Sequence, residues 1–157
     1  MSGAMNRNLA MNDLAQARQR LDTDKLAFAV VREGKVIATG EDYGVRELLT
    51  AVDRLGALAG GASLADKIVG KAVALIVVHA GICAVDTRVA SESAVKLLKR
   101  HGVPLRTASI VPQILNRRGD GPCPMEKATM PFDDVGLGIE ALRAFIDARR
   151  AGVPLPP

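Results

Sequence analysis

An α/β sandwich is the fold this sequence predicts, and two observations carry the prediction. Apolar runs of strand length alternate with stretches whose apolar residues recur at helical spacing. Of the 157 residues, 48% are hydrophobic, enough to fill one core. Strands that alternate with helices form a sheet whose faces the helices cover, giving three layers.

The elements follow in order. Residues 1–8 read as a disordered N-terminus, 9–150 as a single domain and 151–157 as a C-terminal tail. Asn12 stands where it can cap a helix carrying Leu14, Ala17 and Leu21. The apolar runs 25–31 and 36–39 flank a turn containing Gly34, the mark of a β-hairpin. Within 45–55, Leu48, Leu49 and Val52 lie at helical spacing, with Arg46, Glu47, Asp53 and Arg54 outside. A flexible connection, 56–62, leads into the most apolar stretch, 63–78, which reads SLADKIVGKAVALIVV.

That stretch is expected to be the central helix. Ser63 and Asp66 fit a capping box, and apolar residues surround the helix on nearly every side, which marks a buried one. It is too short in unbroken apolar residues to cross a bilayer. Gly81 stops it, and 83–90 reads as a strand. Ser91 caps a helix over 92–100, 104–111 is a short strand, and 116–124 is a loop dense in Gly and Pro. A short turn over 125–130 precedes a last amphipathic helix, capped by Asp133 or Asp134. Ligands of such sheets bind beyond the carboxyl ends of the strands, at helix N-termini.

Composition excludes several functions. Aromatics are 3% with no Trp, and the net charge of +4 comes from scattered basic residues, so no nucleic-acid surface is expected. Two cysteines make no disulfide framework and fit a reducing cytosol. The first residues lack the apolar core of a signal peptide, and no stretch reads as a membrane span. The expected setting is cytoplasmic.

The stretches ADKIVGKAVALI, TRVASESAVKLLKRHGV and VPQILNRRGDGPCPMEKA resemble a prokaryotic family of uncharacterised proteins with the cytidine-deaminase-like fold. The resemblance covers most of residues 25–130. It implies a mixed five-stranded sheet with helices on both faces. Zinc deaminases carry His or Cys before x-Glu at one helix start and Pro-Cys-x-x-Cys at the next. The expected helix starts here, Leu64-Ala65-Asp66-Lys67 and Ala90-Ser91-Glu92-Ser93, hold neither thiol nor imidazole. The resemblance therefore implies the fold without deaminase chemistry, and no metal or other cofactor is expected.

Three groups of residues are candidates for a site. Lys67 and Lys71, four apart on the expected central helix, either face an anionic ligand or pair with buried carboxylates. Asp66 beside them is a cap or a proton relay, and the Ser91 hydroxyl faces the same end of the sheet. Cys123 falls at an N-cap before Pro124, where a positive helix end favours the thiolate; it is a nucleophile or a small side chain in a tight turn. Asn116, Arg117, Gly119 and Gly121 form either an anion-binding loop or a solvated turn. His79 and Cys83 are separated by a helix end and make a poor metal pair.

The expected function is binding of a small anionic, nucleotide-like molecule without zinc. The alternatives are an enzyme using Cys123, with Asp66 or Lys67 as proton relay, and a non-catalytic oligomeric interaction protein. Many apolar helical faces on a small sheet favour a homo-oligomer in each case.

Overall fold

The computed structural model describes residues 3–42 and 44–152. The chain runs α1 (Gly3–Asp24), β1 (Phe28–Arg32), β2 (Lys35–Gly40), α2 (Val45–Leu55), a 3-10 turn (Gly56–Ala59) and β3 (Ser63–Val69). It continues through α3 (Lys71–Ala80), β4 (Ala84–Ser91), α4 (Glu92–Arg100), β5 (Leu105–Val111), α5 (Pro124–Thr129) and α6 (Val135–Arg150). The strands form one mixed sheet in the order β2-β1-β3-β4-β5. β1 is antiparallel to β2 and β3, while β3, β4 and β5 are parallel.

The stretch 63–78 is not one helix. Its first half is β3, the middle strand of the sheet, and its second half begins α3. A strand buried on both faces reads as a continuous apolar run, and periodicity cannot separate it from a buried helix. Gly70 is the boundary: a poor helix-interior residue, it is the N-cap of α3 instead. The capping box does not form. Ser63 is buried and its Oγ donates to the Ala10 carbonyl, 3.0 Å away.

α1 starts at Gly3, so Asn12 lies inside it and caps nothing. The expected disordered segment 1–8 falls partly on α1 and partly outside the described residues. α1 covers one face of the sheet with Ala17 and Leu21, which pack with Ala29, Val31 and Ala65. Its Asp13 carboxylate accepts the Glu33 and Gly34 N–H groups, each at 2.9 Å. Both residues have positive φ, 51° and 78°, as a two-residue hairpin turn requires. Asp13 thus holds a turn that Glu33 alone adopts poorly.

The opposite face carries α2, α3 and α4. Their apolar sides meet Phe28, Val30, Leu64 and Val85 in the main core. The right-handed crossover rule places α3 and α4 together, since β3, β4 and β5 follow in one direction. α6 packs across α3, where a Cβ at Gly138 would stand 2.8 Å from Leu75. Ser91 caps α4 through the Ala94 N–H at 3.2 Å, and Asp134 caps α6 through the Leu137 N–H at 2.9 Å. Among the described residues no helix is long and apolar enough to cross a membrane.

Candidate functional site

The amino end of α3 is closed by a residue from far along the chain. Glu126, on α5, is buried, and its carboxylate accepts the Lys71 N–H at 2.7 Å and the Ala72 N–H at 3.0 Å. These are two of the N–H groups that a helix start leaves without partners. Burial pushes the Glu126 carboxyl up, against the opposing pull of the two N–H bonds and the Lys71 charge. Glu126 was not among the sequence candidates. Its signal is faint: a glutamate two residues after Pro124 reads as an ordinary first-turn acid.

Lys71 opens α3 and is 4% exposed. Its Nζ donates to the Met130 carbonyl at 2.8 Å and lies 3.5 Å from Asp133 Oδ1. The buried cation therefore meets groups of its own chain, and it fastens the segment after α5 to the core. Lys67 does not share a helix with it. Lys67 lies on β3, where its N–H donates to the Ala27 carbonyl, and strand alternation turns it to the sheet face opposite Asp66.

Asp66 sits on β3 opposite Phe28 of β1 and Thr87 of β4, on the face that carries α2, α3 and α4. Its Oδ1 accepts the Ile68 N–H at 3.1 Å, and the Lys67 N–H adds a second backbone bond. Burial raises its pKa from 3.8 to about 7, the two backbone bonds opposing the rise. The residue keeps partial solvent access, so this carboxyl is desolvated without being sealed. Asp66 is neither a helix cap nor part of a helix start.

Ser91 and Ser93 form a hydroxyl pair at 3.1 Å at the start of α4. In the β3–β4 register Asp66 pairs with Thr87, four residues before Ser91. At the strand rise that separation is about 13 Å. Asp66 and the Ser91 helix start therefore do not adjoin, as two neighbouring helix ends would. They stand at the two ends of a four-residue stretch of sheet. Thr87 lies beside Asp66 on β4, its Oγ1 donating to the Val89 carbonyl at 3.1 Å.

The Gly-rich loop folds on itself. Asn116 Nδ2 donates to Asp120 Oδ1 at 2.8 Å, Gly119 N–H to the Asn116 carbonyl at 3.0 Å, and Asn116 N–H to the Gly121 carbonyl at 2.8 Å. Gly119 supplies a positive φ of 74° that the turn requires. Arg117 stays on its exposed side. Cys123 is half-buried and starts α5, its N–H donating to the Ile114 carbonyl and its carbonyl accepting the Lys127 N–H. α5 spans six residues, too short to build a strong dipole behind the thiol.

The helices that follow strands start at Gly44-Val45, Gly70-Lys71 and Ser91-Glu92. The pair of starts expected at Leu64 and Ala90 is thus corrected, since Leu64 is in a strand. Among the described residues, no group of three or more His, Cys, Asp or Glu side chains converges to hold a metal ion. A contact does join the two most distinctive stretches of the chain: Gly70-Lys71-Ala72 receives Glu126 of the Cys123-Pro124-Met125-Glu126 run. The family model for "TM1506: Domain of unknown function (DUF1893)" matches residues 16–146, which include both stretches.

The chain belongs to the DUF1893 family.

The family match agrees with the resemblance carried by those motifs. A crystal structure of a DUF1893 family protein from Thermotoga maritima is similar at 25% identity and a TM-score of 0.76. The similarity covers 87% of this chain and 89% of that one. Two deaminase structures are more distant. A diaminohydroxyphosphoribosylaminopyrimidine deaminase/5-amino-6-(5-phosphoribosylamino)uracil reductase, also from Thermotoga maritima, has 18% identity and a TM-score of 0.42. That match covers 64% of this chain and 36% of the other. A structure from studies of tRNA:A34 deaminases has 19% identity and a TM-score of 0.40, covering 68% of this chain and 91% of that one. No curated protein matches the chain.

Proposed function

We propose that this DUF1893 chain binds a small nucleotide-like molecule along the carboxyl ends of β3 and β4, with Asp66 as the recognising group. The observation that carries the reading is the environment of Asp66. Its carboxylate is desolvated, takes its hydrogen bonds from backbone N–H groups, and has a pKa of about 7. A carboxylate in that condition gains most from a ligand that presents N–H donors, as the edge of an amino-heterocycle does. The half-buried Ser93 hydroxyl, bonded to the buried α4 cap Ser91, supplies a polar contact for the other end.

The charge logic differs from that of the sequence alone. Lys71 and the start of α3, expected to draw an anion, are satisfied by Asp133, Met130 and Glu126. The reading therefore rests on an acid seeking donors rather than on lysines seeking an anion. Binding through N–H donors favours ionised Asp66, so affinity should rise with pH through about 7.

The test is a thermal-shift titration of wild type and Asp66→Asn with nucleobases, nucleosides and nucleoside monophosphates at pH 6 and 8. Support is a saturable rise in Tm for wild type, larger at pH 8 and lost in the variant. A flat panel, or equal shifts in both proteins, rejects the reading.

A further inference from the structure

The second place where charge is left over lies on the outer surface, in a groove of about 160 Å³ between α2 and α6. Leu49 and Ile146, both nearly buried, make its floor. The lining residues fall one turn apart on each helix, from Arg46 to Asp53 on α2 and from Arg143 to Arg150 on α6. Asp53 holds Arg143 through two bonds of 2.7 and 2.9 Å. Asp53 ends one row and Arg143 begins the other, so their ion pair closes one side of the groove. Arg46 and Arg150, the far residues of the two rows, both line the same groove.

These two arginines are a conspicuous pair. Among the described residues neither has an ion-pair partner within bonding distance. Like charges lining one groove repel. Arg46 also stands in the first turn of α2, where the helix end is positive, Gly44 supplies no side-chain cap and Glu47 offsets only part of the charge. Asp147 lines the same groove between Arg143 and Arg150 and offsets part of the charge. With Arg143 taken by Asp53, two guanidinium groups face one carboxylate.

We propose that this groove is a phosphate site in which Arg46 and Arg150 clamp the anion. A phosphate there replaces the repulsion of the two cations with charge-assisted hydrogen bonds, and guanidinium groups match its oxygens in pairs. Asp147 opposes the ligand and sets its affinity. The site lies apart from Asp66 and stands whether or not Asp66 recognises a ligand.

The probe is inorganic phosphate, titrated by calorimetry at fixed ionic strength with chloride as the control anion. The proteins compared are wild type, Arg46→Gln, Arg150→Gln, the double variant, Asp147→Asn and Arg54→Gln, all checked for folding by circular dichroism. Arg54 is an exposed arginine of α2 outside the groove. The expected result is about a tenfold loss of affinity in each single groove variant, no measurable binding in the double variant, and several-fold tighter binding in Asp147→Asn. Arg54→Gln should bind as wild type does. Absence of binding to wild type, equal binding by wild type and the double variant, or an equal loss in Arg54→Gln overturns the proposal.

Discussion

Gly70 exists to admit Glu126. A Cβ at position 70 would stand 2.3 Å from Glu126 Oε1 and 2.6 Å from Oε2, and both oxygens are held by N–H groups of α3. The glycine's φ of −99° is open to any residue, so its requirement is space rather than conformation. This contact ties the middle of the sheet to the segment that follows β5.

Gly70→Ala therefore should expel the carboxylate. The loss is that of two buried hydrogen bonds with overpacking, about 2–3 kcal/mol. Urea unfolding monitored by circular dichroism measures it, and a change within about 0.5 kcal/mol, the ordinary surface range, would show that Glu126 does not need the space.

Asp66→Asn is expected to stabilise the fold at alkaline pH. The folded-state pKa is raised from 3.8 to about 7, so the folded protein binds the extra proton between those values. Stability is full below about pH 4 and declines as pH rises through about 7, at up to about 1.4 kcal/mol per unit. An asparagine has no charge to desolvate, so the variant's Tm should vary less over that window. Parallel pH profiles for the two proteins would refute the burial of that charge. A variant more stable than wild type yet unable to bind is the signature of a site kept at a cost to the fold.

Lys71→Met removes the ammonium but keeps the volume. The Met130 carbonyl then loses its donor, a cost of about 1–3 kcal/mol. The consequence should be local: amide hydrogen exchange over residues 124–134 is expected to quicken, with α1 and β1 unchanged. Uniform acceleration across the chain would deny Lys71 its fastening role.

Arg18 on α1 bonds Asp22 and the nearly buried Asp86 of β4, with Arg106 3.7 Å from Asp86 on the other side. Arg18→Met should leave Asp86 to the more distant arginine and lower stability by about 1–3 kcal/mol, discounted for solvent access. Asp86→Asn in the Arg18→Met background should recover part of the loss. Strict additivity of the two changes in denaturant unfolding would mean that the pair is not coupled.

Much of this architecture was legible in local pattern. Leu48, Leu49 and Val52 placed α2, Ser91 placed α4, and Pro124 placed α5, because caps and periodicity act within a few residues. β3 was not legible as a strand. Ser63–Val69 is the middle strand of the sheet, where pairing with β1 and β4 supplies both ladders. Nothing within that run announces those partners. The candidate site suffered for the same reason. Helical spacing puts Asp66, Lys67 and Lys71 on one helix, although two of them belong to a strand whose alternation parts them.

What the sequence determined by itself is therefore the local grammar: which stretches turn, which helices begin where, and that hydrophobic content suffices for one sheet with helices about it. Tertiary structure decided which charges remained to be used. Lys71 is spent on Met130 and Asp133, and the start of α3 on Glu126, more than fifty positions away. Asp66 is left desolvated, with backbone N–H groups as its hydrogen-bond donors. Such outcomes depend on which distant groups are brought within about 3 Å and on how much water they lose, quantities that a one-dimensional pattern does not contain.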